Sequence, residues 1–96
     1  MMVLITYDVN TVNVGGQKRL RRVAKACENY GQRVQNSVFE CLIDPAQLVI
    51  LKGRLLDIID PDKDSLRVYY LGKNWKRRVE HYGLELHYTQ EEPLIL

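Results

Sequence analysis

The feature that most constrains this 96-residue chain is its opening. Met2-Val3-Leu4-Ile5-Thr6-Tyr7 is an apolar run rich in β-branched and aromatic residues, and it stops at Asp8-Val9-Asn10. A run this short, closed by polar residues, reads as a strand buried on both faces. A carboxylate at the end of such a strand stands on a rigid element where core gives way to loop. That position suits a metal ligand or a general base. The competing reading is that Asp8 merely ends the strand and bonds to nearby loop amides.

Ninety-six residues imply one domain with one core, and a domain this small gains from self-association. The formal net charge is only +2, so where the basic residues cluster matters more than their excess. Cys27 and Cys41 both fall in apolar-patterned segments and are expected as buried free thiols. There is no CxxC and no run of His and Cys ligands, which argues against a structural zinc site. The opening run is too short to span a membrane and lacks the marks of a signal peptide, so a soluble, cytoplasmic protein is expected.

Asn10 to Gly16 reads as a loop punctuated by Gly15-Gly16, without the GK[ST] ending of a P-loop. Gln17 to Tyr30 is the clearest helix: Leu20, Val23, Ala24, Cys27 and Tyr30 form one apolar stripe, and Gly31 is expected as its left-handed stop. The rest of that helix carries Lys18, Arg19, Arg21, Arg22 and Lys25 with no acid before Glu28. A solvated face usually mixes both signs at i, i+4 spacing. Here a phosphate backbone is a plausible counterpart, with a plain solvated face as the alternative.

Gln32 to Ile43 reads as extended, interrupted at Asn36-Ser37 by an expected bulge or kink that could re-aim Ser37 toward a site. Asp44-Pro45 opens a second helix as N-cap and first helical residue. Leu48, Leu51, Leu55 and Ile58 mark its stripe, Val49, Ile50, Leu56 and Ile59 are expected to widen it, and Asp60-Pro61-Asp62 ends it. Ser65 to Leu71 is a further strand. Lys73 to Arg78 is a second basic cluster around Trp75, and Val79 to Tyr82 a last short strand ended by Gly83. His81 could titrate near neutrality, although a lone histidine is more often not catalytic. Residues 84–96 are a polar tail with an apolar end.

The expected fold is α+β: a ferredoxin-like β-α-β-β-α-β order with an extra C-terminal strand, an antiparallel sheet carrying both helices on one face. A first strand apolar on both sides then asks for a cover on the open face, and a second copy is the economical one. Two Asp8 carboxylates brought together by a two-fold axis would repel unless a cation lay between them.

Leu4-Ile5-Thr6-Tyr7-Asp8-Val9, Lys18-Arg19-Leu20-Arg21-Arg22-Val23 and Gln35-Asn36-Ser37-Val38-Phe39-Glu40 together resemble the CRISPR-associated protein two family, over about residues 2 to 83. The resemblance implies a ferredoxin-like homodimer, its last short strand crossing to the partner's sheet. It implies that Asp8 from each subunit shares a Mg²⁺ ion (Mn²⁺ as a substitute), with Ser37 as a second catalytic residue and Tyr7, Asn10 and Phe39 beside the site. It further implies metal-dependent cleavage of single-stranded RNA or double-stranded DNA, and work alongside the CRISPR-associated protein one integrase in acquiring spacers. Lys18, Arg19, Arg21, Arg22, Lys25, Arg33, Lys76, Arg77 and Arg78 are the candidate nucleic-acid contacts. In the enzyme reading Asp8 holds the metal and the basic helix faces hold the backbone. In the scaffold reading the basic clusters bind duplex DNA and Asp8 matters little. A single-stranded RNA binder using its sheet is a third reading, weakened because the strands lack the RNP pattern. A superficial likeness of Gly31 to Asn36 to the acylphosphatase phosphate loop fails, because that loop needs glycine at position 36 and follows the first strand.

Overall fold

The structure, a computed structural model, describes residues 1–9, 14–72 and 79–83. Its elements are β1 (Met2–Asp8), α1 (Val14–Glu28), β2 (Gly31–Gln35), β3 (Val38–Leu42), α2 (Pro45–Ile58), β4 (Ser65–Tyr70) and β5 (Val79–Gly83). The five strands make one antiparallel sheet in the order β2-β3-β1-β4-β5. This is the expected ferredoxin-like arrangement. β1 lies in the middle because its two neighbours, β3 and β4, come from opposite halves of the chain.

Side chains alternate across a strand, so β1 contributes to two faces. Val3, Ile5 and Tyr7 join Leu20, Val23, Ala24 and Cys27 of α1, Leu48, Leu51 and Leu55 of α2, and Phe39, Leu66 and Val68 in one buried cluster. That cluster defines the helix-covered face. Leu4, Thr6 and Asp8 point to the other. There Leu4 and Tyr69 are already 8 % and 3 % exposed within the single chain, so the two-sided burial of β1 does not by itself require a second copy.

Several boundaries differ from the sequence reading, each for a local reason. α1 begins at Val14, which places Gly15 and Gly16 in its first turn instead of a loop; Gly16 is buried there. Gly31 is not a left-handed stop, since positive φ among the described residues occurs only at Gly72 and Gly83. It is required by close approach: a Cβ at position 31 would lie 1.9 Å from the Glu40 carbonyl oxygen on the paired strand. Gln32 to Ile43 forms two paired strands. Asn36-Ser37 is the turn between them, and the register shift falls earlier, between Arg33 and Gln35. In α2 the capping box is complete. The Gln47 amide donates to Asp44 Oδ1 at 2.7 Å and the Asp44 amide to Gln47 Oε1 at 3.1 Å, an arrangement worth about 1 kcal/mol. Val49, Ile50 and Leu56 do not widen the core stripe. They are 67 %, 58 % and 42 % exposed, because at 3.6 residues per turn they rotate away from the line through Leu48, Leu51 and Leu55.

β5 pairs with β4 of its own chain, Tyr69 opposite Val79 and Ser65 opposite Gly83. Pairing with the strand that precedes it in sequence is the short-range option. A side-chain network on the helix face supports it. Lys52 of α2 donates to Glu80 Oε1 at 3.1 Å and to the Tyr70 hydroxyl at 3.3 Å, and the Tyr70 and Tyr82 hydroxyls donate to the same Glu80 oxygen at 2.9 and 3.2 Å. Cys27 and Cys41 are free and buried as expected; the neighbouring Cys41 thiol and burial hold Cys27 protonated, well above its ordinary pKa.

Candidate active site

Asp8 ends β1 on the face of the sheet opposite the helices, and its side chain is exposed. Three segments far apart in sequence meet it. The Ser37 carbonyl accepts the Tyr7 amide at 2.9 Å, which ties the β2–β3 turn to the end of β1. Ser65 stands directly opposite Asp8 in the β1–β4 register, and Arg67 opposite Thr6. Together Thr6, Asp8, Ser37, Ser65, Arg67 and Tyr69 line a depression of about 250 Å³. The Ser65 hydroxyl lies 3.0 Å from His81 Nε2 on β5, so a histidine borders the same group.

Sequence reasoning named Asp8 and Ser37 but missed Ser65 and Arg67 and set His81 aside. Ser65, Arg67 and Tyr69 recur at period two along Ser65–Tyr70, a signal that one side of that strand is polar. Which strand faces them is a matter of long-range pairing and was not legible.

Chemically, the depression combines a carboxylate, hydroxyls and a guanidinium, with the His81 imidazole touching one of its hydroxyls from β5. The donor set tests whether it fits a divalent cation. Among the described residues there is no group of three or more His, Cys, Asp or Glu side chains able to hold a metal. An ion caged by protein ligands alone, such as structural zinc, therefore does not fit these residues. Mg²⁺ keeps several waters and takes one or two carboxylates. An exposed Asp8 in a depression that Ser37 and Ser65 also line fits that mode.

Tyr7 is also among the residues lining the depression, but its hydroxyl and the other residues expected at the site lie elsewhere. The Tyr7 side chain is on the helix face, where its hydroxyl donates to Asp64 Oδ2. Phe39 is fully buried in the core, with the Arg33 guanidinium 5.6 Å over its ring. Arg33 also donates to the Asn36 carbonyl at 2.7 Å, so it braces its own turn. Asn10, Lys76, Arg77 and Arg78 lie outside the described residues.

Arg19 turns inward. Its Nε donates to Asp64 Oδ2 at 2.7 Å and a terminal nitrogen to Oδ1 at 3.1 Å. Asp64 is fully buried and also accepts the Asp60 amide at 2.9 Å. Burial works to raise the Asp64 pKa, but Arg19, the Asp60 amide and Tyr7 outweigh it and hold the carboxyl below its ordinary value. Burial and then Asp64 push the Tyr7 hydroxyl well above its ordinary pKa. This clamp joins α1, β1 and the start of β4. It occupies Arg19 internally, where the sequence reading had it meet a phosphate.

Lys18, Arg21, Arg22 and Lys25 remain exposed, but α1 packs its apolar stripe on the face that carries Tyr7. Arg22 and Lys25 border α2, and Arg21 and Lys25 border Arg33 of β2. α1 and the exposed Asp8 lie on opposite faces of the sheet.

A small antiparallel-sheet domain with two helices on one face and a carboxylate, hydroxyls and a guanidinium gathered on the other has the chemistry of a phosphodiester-handling protein. The model of the family described as CRISPR associated protein Cas2 matches residues 1–79, and the chain belongs to that family. It is 62 % identical over 96 residues to the CRISPR-associated endoribonuclease Cas2 of Nitratidesulfovibrio vulgaris, covering all of this chain and 94 % of that protein. It is also 62 % identical over 95 residues to the CRISPR-associated endonuclease Cas2 of Halalkalibacterium halodurans, covering 99 % of each. The crystal structure of Streptococcus pyogenes Cas2 at pH 6.5 superposes with a TM-score of 0.74 at 65 % identity, over 86 % of this chain and all of that one. The chain is a CRISPR-associated endonuclease of this family. Among the described residues no helix is long and apolar enough to cross a membrane.

Proposed function

We propose that this endonuclease is metal-dependent, acts in the cytoplasm on single-stranded RNA or double-stranded DNA, and works as a homodimer in which each chain gives one Asp8 to a shared Mg²⁺ or Mn²⁺. The observation that carries the reading is the meeting of Asp8, Ser37, Ser65 and Arg67 in one depression. Asp8 would hold the cation, Ser37 would orient a phosphate oxygen, and Arg67 would offset charge on the phosphate being attacked. A bound divalent ion lowers the pKa of a coordinated water and offsets phosphate charge. The single carboxylate per chain supports the dimer, as do the 68 % exposed Leu42 and 38 % exposed Val79. The relatives' names, endoribonuclease for one and endonuclease for another, are consistent with either polynucleotide.

The test is cleavage of single-stranded RNA and duplex DNA with Mg²⁺, Mn²⁺ or EDTA, comparing wild type with Asp8→Asn. Cleavage should need the metal and fall by about 100-fold or more in the variant, the scale seen when one charge-stabilising group is removed from an active site. Metal-dependent cleavage unchanged by Asp8→Asn would overturn the assignment.

A second reading is a DNA-binding scaffold for the CRISPR-associated protein one integrase. It is favoured by one observation: α1, with its exposed cations, and Asp8 lie on opposite faces of the sheet. Duplex binding that persists with no Asp8-dependent cleavage would select it.

A further inference from the structure

Arg22 and Lys25 of α1 and Arg54 of α2 converge on a groove of about 410 Å³ between the two helices. Its remaining lining is Ala26, Asp57 and Ile58. Nothing in the sequence had joined Arg54 to the basic helix, because the α1–α2 packing alone brings them together. Three features separate this groove from an ordinary solvated face. Its cations come from two elements and outnumber the one acid. None of Arg22, Lys25 and Arg54 is ion-paired with a described residue, whereas Arg19 and Lys52 are. And Ala26 is 2 % exposed and Ile58 half-buried, so the charges stand over an apolar floor, and low-dielectric walls focus their field.

The cations also continue beyond the groove. On the other flank of α1, Arg21 and Lys25 line a second depression with Arg33, where Glu28 is the acid facing them. Along the helix, Lys18, Arg22 and Lys25 are separated axially by about 6 and 4.5 Å. A single small anion would use only one end of such a row. A chain of phosphates, one per about 3.4 Å of rise along each strand of a duplex, can use all of it.

We infer that the α1–α2 groove seats the phosphodiester backbone of a polynucleotide through Arg22, Lys25 and Arg54, on the side of the sheet opposite Asp8. The inference rests on nucleic acid being this protein's ligand, and it separates the surface that grips the polymer from the surface that carries Asp8. Contacts of this kind go to phosphates, so binding is tolerant of sequence and steep in salt.

The experiment measures duplex binding in EDTA, where metal-dependent cleavage is silent, across a salt series for wild type, Arg54→Gln, Arg54→Lys and Asp57→Asn. Arg54→Gln should weaken binding several-fold and flatten the slope of log K against log salt by about 0.9, one phosphate contact. Arg54→Lys should keep the slope, and Asp57→Asn, which removes the only acid among the described residues lining the groove, should tighten binding. Arg54 and Asp57 are both exposed, so folding is not at stake, and circular dichroism checks it. Unchanged affinity and slope in both Arg54→Gln and Asp57→Asn would overturn the proposal. So would competition by inorganic phosphate or by polyglutamate at the same charge concentration as DNA. Loss of Asp8-dependent cleavage with the slope effect intact would defeat the catalytic reading and leave the groove standing.

Discussion

Replacing Arg19 by Gln should act on stability, although Arg19 sits in the most basic stretch of the chain. Among the described residues Arg19 provides two of the four hydrogen bonds to the Asp64 carboxylate, and that side chain is 0 % exposed. Removing one partner of a buried pair strands the other, a loss of about 3–5 kcal/mol. Two features reduce it here. The Arg19 side chain is itself 17 % exposed, and Asp64 keeps the Tyr7 hydroxyl and the Asp60 amide. An expected loss of about 2–4 kcal/mol corresponds to a fall in Tm of roughly 10–25 °C for a domain of this size. Thermal and urea unfolding at one fixed protein concentration, so that self-association does not enter, would read it. Arg21→Gln, an exposed neighbour with the same charge change, is the control and should move stability by no more than about 0.5 kcal/mol. pH adds a second check. Asp64 has a lowered pKa in the folded protein, so its contribution is fully present above the unfolded carboxylate value of about 3.9 and is lost as pH falls through the folded value. The gap between wild type and Arg19→Gln should therefore narrow in acid. Arg19→Gln as stable as Arg21→Gln at neutral pH would refute the clamp.

Two further outcomes follow from the packing. Gly31→Ala should destabilise the protein by about 3 kcal/mol, because its Cβ would meet the Glu40 carbonyl oxygen at 1.9 Å and only a backbone shift could relieve that; an unchanged urea midpoint would contradict it. Lys52→Met should cost little globally, since Glu80 is 37 % exposed and such pairs contribute about 0.2–1 kcal/mol. The loss should appear locally, as amide exchange in Val79–Gly83 faster by up to about fivefold, and uniform exchange across β4 and β5 in both proteins would show that the network does not hold β5.

What the amino-acid sequence determined by itself was local or periodic. The apolar run before Asp8, the 3.6-residue stripe of α1 and the Asp44-Pro45 start of α2 are written in neighbouring residues, so the element order and the ferredoxin-like class were legible. So were Asp8 and Ser37, whose setting at a strand end and a strand break can be read one-dimensionally. Only the tertiary structure decided which face each side chain joins and which distant strand it meets. Strand pairing set Ser65 opposite Asp8 and His81 beside Ser65, between residues separated by 57 and 16 positions. Helix packing sent Arg19 to a buried carboxylate and Arg22 to a groove with Arg54, although both carry the same charge three residues apart. A formal charge says nothing of direction. Those two side chains stand only about 60° apart around α1, and the packing of α1 on the sheet and on α2 decides which one reaches a buried carboxylate and which one reaches the groove.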